Sequence, residues 1–265
     1  MTSPQLPQNI PEEPAPSGAL ALAVFEASIA ALVLSMYTVW LAAVAAAVLA
    51  AFSRFGTAPD PAAIWSTVPS WERQVDRLMS GLEQIARAGW IEAGRQLGVE
   101  IPFDPTDSLV QDQLARTRNL MVRTPDEVYR RIIAELGTAI ANGEDVQAQA
   151  ARVRHVLDVT GTENWPARAR TVSVTEVHRA WNMGALAAAL RIQQREQGPR
   201  LLKRWDSKDD SAVRPAHRLA DGQVQYVSQP FMVGGEPLMT PGDPSGSPWN
   251  VINCRCKPQF SRGTR

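Results

Sequence analysis

Cysteine is nearly absent from this sequence of 265 residues. The only two cysteines, Cys254 and Cys256, are separated by one residue, so a disulfide between them would close a strained loop. A disulfide-stabilised scaffold is therefore excluded, and a reducing, intracellular environment is expected. No basic segment precedes the first apolar run, so no secretory signal peptide is predicted.

The sequence also lacks the common catalytic signatures. It contains no Walker loop, no H-E-x-x-H zinc motif, no G-x-S-x-G nucleophile motif and no dinucleotide-binding fingerprint. Histidine, the usual acid-base residue near neutral pH, occurs only three times. His155 and His178 lie in polar helical stretches and are expected to be solvated, which leaves His217 as the candidate for chemistry. These absences favour a structural protein over an enzyme.

Lysine is absent before Lys203, and the charges are unevenly distributed although the net charge is zero. Residues 1–190 contain 15 Arg against 20 acidic residues, whereas residues 191–265 contain 12 basic against 7 acidic residues. The two parts therefore carry net charges of −5 and +5. Only the C-terminal part has an electrostatic reason to contact nucleic acid or an acidic protein surface. The alternative interpretation is an ordinary solvated surface.

Charged residues are absent from Ala27 to Phe52, an alanine-rich stretch long enough to cross a bilayer as a helix. Three features argue against a membrane span. Glu26 lies at one end of the stretch, alanine is abundant, and no basic cluster is present that would set the orientation. Two interpretations follow. The helix packs against other helices in an assembly, or it inserts into a membrane.

The whole chain predicts a mainly α-helical body with a small C-terminal α+β domain that contains a β-hairpin and a Pro/Gly-rich loop. Apolar residues recur at helical spacing in five segments after the apolar stretch, and Thr124 is the predicted N-cap of the third. These helices are predicted at about 71–97, 107–121, 125–141, 144–157 and 166–197. The predicted domains are a disordered lead at 1–18, an apolar helix at 19–56, a helical body at 57–198 and the α+β domain at 199–265.

The predicted C-terminal domain is short and irregular. Asp221-Gly222 predicts a tight turn into a strand at 224–227, which would form a hairpin. Glycine and proline then interrupt regular structure between 234 and 248. A unit of this size needs additional stabilisation, either from packed aromatic side chains or from a bound metal. The aromatic candidates are Trp205, Phe231, Trp249 and Phe260.

Six short motifs follow one another in this domain. They are Trp205 with an aspartate-rich turn, R-x-x-H at 214–217, D-G-Q at 221–223, P-F at 230–231, P-G-D-P at 241–244 and I-N-C-R-C at 252–256. In this order and spacing they resemble the phage head morphogenesis, or Mu F-like, family of minor head proteins. The resemblance is dense over Lys203–Pro258 and extends weakly upstream to Thr175. The motif residues predicted to have structural roles are Trp205, Asp221, Gly222, Phe231, Asp243 and Asn253.

The resemblance implies a non-enzymatic minor capsid protein of a tailed bacteriophage or prophage, associated with the portal. The expected role is head morphogenesis and DNA packaging or ejection. The expected partners are the portal protein, capsid or scaffolding proteins, and packaged DNA. The expected location is the phage head in the virion, with the host cytoplasm during assembly. Two other functions stay open: a metal-dependent nuclease or other hydrolase centred on His217, and a membrane-active ejection protein that uses the 19–56 helix.

The predicted metal ligands are His217, Cys254 and Cys256, because two thiolates and an imidazole suit zinc. Many members of the resembled family carry C-P-x-C where this chain has Arg214-Pro215-Ala216-His217. Arg214 cannot replace a cysteine ligand because it stays protonated. Asp209, Asp210 and Asp221 are the candidates for a fourth ligand. Without a metal, the imidazole is a hydrogen-bonded structural group and the cysteines are buried hydrophobic residues.

Six basic residues near Trp205 are candidates for contacts with DNA phosphates, and Trp205 is a candidate for stacking on a base. The six are Arg200, Lys203, Arg204, Lys208, Arg214 and Arg218. The sequence contains no base-reading module, so this binding is expected to be independent of sequence and weakened by salt. In the alternative interpretation Trp205 belongs to the core and the basic residues form a solvated rim around it.

Overall fold

The computed structural model describes residues 17–55, 71–159, 165–196, 200–208 and 210–263. Over these residues it confirms a mainly helical body and a small C-terminal α+β part. The helices are α1 (Ser17–Phe55), α2 (Trp71–Leu97), α3 (Ser108–Val122), α4 (Thr124–Ala141), α5 (Val146–Val159), α6 (Trp165–Arg195), α7 (Pro215–Ala220) and α8 (Pro248–Val251). The strands are β1 (Leu201–Asp206), β2 (Val224–Tyr226), β3 (Phe231–Val233), β4 (Glu236–Leu238) and β5 (Lys257–Arg262). Residues 1–16 of the predicted lead lie outside the described residues, and Ser17 already belongs to α1.

The chain forms two compact units. One contains the residues up to Ser28, Ser80–Arg116 and the residues from Thr171 onward, and it includes the α+β part. The other contains Ile29–Met79 and Thr117–Arg170. We call these the first and the second unit, and we call Leu201–Arg262 the C-terminal module. The domain limits predicted from the sequence remain predictions.

Aromatic side chains form the centre of the second unit. The Tyr37 ring stacks on Trp71 with a centroid distance of 5.4 Å, and Trp40 lies 5.5 Å from Trp71 at a tilted angle. The Trp71 indole N–H donates to the carbonyl of Met121 at 2.8 Å, so this buried polar group is satisfied. Burial of these rings fixes one side of α1 within the unit, since Tyr37 and Trp40 are almost fully buried.

α1 is the one helix in the described ranges that is long and apolar enough, by length and composition, to cross a membrane. The apolar span is Leu20–Ala47, and only a minority of its residues are buried inside the protein. Its buried residues include Ile29, Val33, Tyr37 and Val44, which recur every three to four positions and therefore lie on one side of the helix. This pattern is that of a helix packed on one face.

α2 and α6 cross within the first unit at two glycines. A Cβ atom on Gly89 would lie 2.1 Å from the carbonyl oxygen of Trp181, and one on Gly184 would lie 2.0 Å from that of Ala86. Both distances are far below van der Waals contact, so only glycine permits this approach of the two backbones. The nearby loop that follows α2 is held by the Trp90 indole N–H, which donates to Ile101 O at 3.2 Å.

The C-terminal module is built on a three-stranded antiparallel sheet in the order β2-β1-β5. Leu202 pairs with Tyr226 on one side of β1, and Trp205 pairs with Pro258 on the other. β5 also contacts α2, because Phe260 N donates to the side-chain carbonyl of Gln96 at 2.8 Å. The sheet is thereby fixed to the helical part of the first unit.

The hairpin of the module does not lie where the sequence predicted it. Gly222 has a φ of 74°, but its N–H donates to Trp205 O, so it closes the α7 connection between β1 and β2. The two-residue hairpin instead joins β3 to β4 through Gly234 and Gly235, whose φ values are 59° and 84°. Left-handed conformations at both central residues are those of a type I′ turn, which matches the strand twist. The sequence predicted no regular structure between 234 and 248, but the first residues of this range form the turn and the second strand of the β3–β4 hairpin. That part of the prediction was wrong.

Two local predictions were also wrong. Thr124 is the first residue of α4 and is buried, and the N-cap is Arg123, which makes no capping hydrogen bond through its side chain. Trp249 does not pack in the module, because it is 79% exposed. Trp205, Phe231 and Phe260 are buried as predicted.

Candidate metal centre

The core of the module surrounds the two cysteines. Trp205 and Phe231 are fully buried and meet edge to face, with their centroids 5.3 Å apart. The Trp205 ring also meets the His217 imidazole edge to face at 5.5 Å. The remaining members of this cluster are Ala220, Val233, Leu238, Cys254 and Cys256. Trp205 is therefore a core residue, and the base-stacking role considered for it requires a surface that it does not have.

The predicted metal ligands lie together in this core. His217 is on α7, whose first residue is Pro215, and the cysteines lie just after α8. The Nδ1 atom of His217 is 3.6 Å from Cys254 Sγ and 3.5 Å from Cys256 Sγ. All three ligand atoms lie within 4.8 Å of one another, and all three residues are buried. The sequence analysis selected these three residues because imidazole and thiolate groups are typical zinc ligands, and the fold brings their ligand atoms close together.

These distances fit a tetrahedral zinc ion. With zinc–sulfur bonds of about 2.3 Å and zinc–nitrogen bonds of about 2.0 Å, a tetrahedral angle places the sulfur and the nitrogen about 3.5 Å apart. The N···S distances of 3.6 and 3.5 Å agree with that value. The same distances suit thiol–imidazole hydrogen bonds, so the ligand geometry is compatible with both interpretations left open by the sequence.

The two thiols have different tendencies to ionise. The hydrogen bond with the Cys256 thiol lowers the pKa of Cys254 well below its ordinary value, against the effect of burial, and the contact with His217 acts in the same direction. The hydrogen bond with Cys254, together with burial, raises the pKa of Cys256. Cys254 therefore loses its proton more readily than Cys256, and a metal ion bound by both thiolates would have to displace both protons.

The carboxylates proposed as a fourth ligand are engaged elsewhere. Asp210 forms a bidentate ion pair with Arg255, at 2.7 and 2.8 Å. Asp221 accepts a hydrogen bond of 2.7 Å from Ser207 N. Asp209 lies outside the described residues. Within the described ranges, no further His, Cys, Asp or Glu joins the three-residue group.

Arg214, which stands in the first position of the R-x-x-H motif, has a structural contact. Its guanidinium donates to the carbonyl of Ile252, and the residue is the N-cap of α7. It thereby ties the start of the helix that carries His217 to the segment that carries the cysteines. Lys208, Arg214 and Arg255 line a small cavity in front of the cluster.

The phosphate contact predicted for Lys203 is wrong. The residue is fully buried, its Nζ donates to Met239 O at 2.5 Å, and it lies 4.9 Å from the centroid of the Phe231 ring. Burial lowers the pKa of Lys203 to about 7, and the charge of Asp243 opposes that shift. A lysine in this position lies in the interior of the module and cannot reach a DNA backbone.

The other five basic candidates are spread over the module. Lys208 and Arg218 are exposed, whereas Arg204 is half-buried. The guanidinium of Arg200 lies 5.3 Å from the centroid of the Tyr226 ring. Lys208 and Arg214 both line the cavity in front of the cysteines, and Arg218 lies one helical turn after Arg214, because its N–H donates to Arg214 O at 3.0 Å. DNA binding by these five residues remains a prediction.

The predicted structural residues hold the loops of the module. Asp243 accepts hydrogen bonds from Met239 N at 2.7 Å and from Ser245 N at 2.8 Å, which closes the P-G-D-P loop on itself. Asn253 has a left-handed φ of 57°, and its N–H donates to the hydroxyl of Thr175 at 2.9 Å. Asp243 and Asn253 therefore fix the course of the backbone, whereas Trp205 and Phe231 pack in the core.

Buried polar side chains of α6 were missed by the sequence analysis. The Asn182 amide donates to Pro241 O and to Cys256 O, both at 2.9 Å. Arg179 donates to Gly242 O at 2.9 Å and pairs with Glu176 at 2.7 Å. Asn182 is 0% exposed. A polar run inside an alanine-rich helix was the available signal, because such groups are buried only when they are hydrogen-bonded.

His178 was also misplaced by the sequence analysis. It is 5% exposed, and its Nε2 lies 2.7 Å from a carboxylate oxygen of Glu26 on α1. This hydrogen bond lowers the pKa of Glu26 against the opposing effect of burial. The expected solvation holds for His155, which is exposed.

Comparison with known families relates the stretch that contains this site to one family. Residues 130–258 match the family model described as Phage Mu protein F like protein. This stretch is Mu F-like. The match confirms the resemblance carried by the six motifs, and it extends that resemblance upstream into α4. No curated protein and no solved structure matches the chain.

The Mu F-like stretch includes α5, α6 and almost all of the C-terminal module. The description of that family model points to phage head morphogenesis. The His217–Cys254–Cys256 cluster lies inside the matched residues. The candidate metal centre thus belongs to the part of the chain that carries the family relationship.

Proposed function

We propose that this chain is a minor head protein of a tailed bacteriophage or prophage that associates with the portal and acts in head assembly and in DNA packaging or ejection. The observation that carries this proposal is the Mu F-like match over residues 130–258. Further expected partners are capsid or scaffolding proteins and, without sequence specificity, packaged DNA. Assembly would take place in the host cytoplasm.

The test is co-sedimentation of the full chain with procapsids assembled from the other head proteins of the same phage, with and without the portal protein. We expect the chain to sediment with procapsids that contain the portal and to stay in solution with procapsids that lack it. Equal amounts bound to both kinds of procapsid would contradict portal association. Failure to bind either kind would contradict the role in the head.

We also propose that His217, Cys254 and Cys256 hold a zinc ion whose role is to stabilise the module. The N···S distances of 3.5 and 3.6 Å support this assignment. A structural role is favoured over turnover because His217 and both cysteines are at most 3% exposed, which leaves little access for a substrate. The hydrolase considered from the sequence therefore receives no support from the geometry of His217.

The membrane-active alternative depends on α1. The packing of Tyr37 and Trp40 against Trp71 favours a helix that is part of the folded protein. Insertion of α1 into a bilayer would separate these rings and would expose their apolar surface. We therefore retain portal association as the proposed function.

A further inference from the structure

The cavity in front of the cysteines leads from the surface of the module to the three candidate ligands. Its lining includes the exposed residues Lys208 and Ala212 and the buried residues His217, Cys254 and Cys256. We call it the Lys208 cavity. Its volume of about 10 Å³ is just enough for one water molecule. The other residues that line it are Val213, Arg214, Asn253 and Arg255.

The described residues supply three of the four ligands that zinc usually takes. Within these residues no further His, Cys, Asp or Glu joins His217 and the two cysteines. The lysine and the arginines of the cavity lining cannot fill the fourth position, because ammonium and guanidinium groups only donate hydrogen bonds. The amide of Asn253 is not among the usual zinc ligands. One coordination position is therefore left for a ligand from outside the described residues.

Charge and size favour water at this position. Two thiolates balance the double positive charge of zinc and a neutral imidazole adds none, so a neutral fourth ligand leaves the centre uncharged. The cysteines also belong to the apolar core around Trp205 and Phe231, where an uncompensated charge would be costly. The cavity has room for one small ligand, and Lys208 and Asn253 supply polar groups that can hydrogen-bond a water there.

We propose that the fourth ligand of the zinc ion is a single solvent water in the Lys208 cavity. This inference rests on the zinc site proposed above and states how its coordination is completed. Three protein ligands and one water give a centre with one exchangeable position. The cavity volume limits that position to a small ligand, which is consistent with a site that stabilises the module.

Arg214 provides a way to close this position. It lines the same cavity as the three ligands, and it is the N-cap of α7, three residues before His217. Residues three apart lie on the same side of a helix. A cysteine thiolate at position 214 is therefore expected to reach the metal ion and to displace the water.

The experiment uses the full chain loaded with Co²⁺, whose unpaired electrons report on its ligands. Electron paramagnetic resonance spectra are recorded in ordinary water and in water enriched in the magnetic isotope of oxygen, which broadens the signal of a cobalt ion that binds a solvent oxygen. Broadening is expected for the wild type and for Arg214→Ala, the matched control that removes the guanidinium without adding a ligand. Broadening is expected to be lost in Arg214→Cys, and the thiolate-to-cobalt absorption is expected to rise.

The outcomes separate this inference from the zinc assignment on which it rests. A wild-type chain that binds neither zinc nor cobalt would overturn both. Wild-type cobalt protein without isotope broadening would overturn the water ligand alone. If Asp209→Asn then gains the broadening, the fourth position belongs to Asp209. Broadening that persists in a cobalt-loaded Arg214→Cys variant, with the melting temperature of Arg214→Ala or higher, would place the solvent outside the Lys208 cavity and would also overturn the proposal.

Discussion

At the scale of single residues, Lys203 is an ionisable group held in the interior of the module. Its ammonium has one carbonyl acceptor, Met239 O, and the face of the Phe231 ring, and the pKa of Lys203 is lowered to about 7. In the unfolded chain the group keeps its ordinary pKa of 10.5. Between these two pH values the unfolded chain binds more protons, so the stability of the fold rises with pH through this window.

We predict that Lys203→Met raises the melting temperature more at pH 6 than at pH 10. At pH 6 the wild-type protein carries a buried ammonium, which costs about 1.4 kcal/mol for each unit of the pKa difference, whereas at pH 10 that lysine is neutral. Thermal unfolding followed by circular dichroism at both pH values is the measurement. Lys208→Met changes an exposed lysine and serves as the control. An equal gain for Lys203→Met at pH 6 and pH 10 would show that its charge is not the cause.

The proposed zinc site supplies a second prediction for individual side chains. Purified wild-type protein is expected to contain about one zinc per chain by elemental mass spectrometry, and chelation is expected to lower its melting temperature by about 5 °C or more. His217→Ala is expected to lose the metal and to become insensitive to the chelator. His155→Ala, which changes an exposed histidine, is expected to behave like the wild type. A metal-free wild-type protein that stays unchanged after addition of zinc would leave only thiol–imidazole hydrogen bonds.

The sequence correctly grouped His217 with Cys254 and Cys256, but it wrongly placed Lys203 on the surface. Both outcomes have a physical reason. The ligand types and the order of the motifs suffice to group His217 with the two cysteines. A run of basic residues carries no information about orientation, because alternate residues of a strand point to opposite sides of a sheet. Lys203 shares its side of β1 with Leu201 and Trp205, which are both buried. Strand alternation was the signal that would have placed it inside.

At the scale of secondary-structure elements, the glycine crossing between α2 and α6 is the tightest constraint. We predict that Gly184→Ala lowers the free energy of unfolding by about 2 kcal/mol or more, because the new Cβ would contact the backbone of Ala86 and the helices would have to separate. The measurement is urea unfolding. Gly137→Ala on α4 is the control, since no atom of the described residues outside its own helix lies within 4 Å of the position that the new Cβ would take. That substitution is expected to be neutral or to stabilise the protein by up to about 1 kcal/mol.

The elements themselves were predictable to different degrees. The helices followed from apolar periodicity, and α2 has the predicted limits of 71 and 97. The hairpin was misplaced because Asp-Gly at 221–222 is a strong local turn signal, whereas the α7 connection depends on a contact between Gly222 and Trp205. Gly-Gly at 234–235 is an equally strong hairpin signal, and it was obscured by the prolines that follow. Local turn chemistry identifies a turn but does not identify which strands it joins.

At the scale of the whole molecule, α1 shows what hydropathy alone leaves open. Its uncharged stretch satisfies the length requirement for a membrane span, and the sequence offered two interpretations of it. Only the folded structure shows that Trp40 and Tyr37 face other aromatic rings. The family resemblance was predictable for a different reason. The six motifs lie within residues 130–258, which are the residues matched by the family.

The sheet order β2-β1-β5 also has a consequence for synthesis of the chain. β1 is the central strand, and one of its two partners begins only at Lys257, long after β1 ends at Asp206. At ordinary rates of translation, β5 leaves the ribosome on the order of several seconds after β1. During that interval one edge of β1 is open and the thiols have not reached the imidazole. Closure of the module therefore awaits translation of Arg262, and chains that terminate earlier are expected to be substrates for chaperones or proteases.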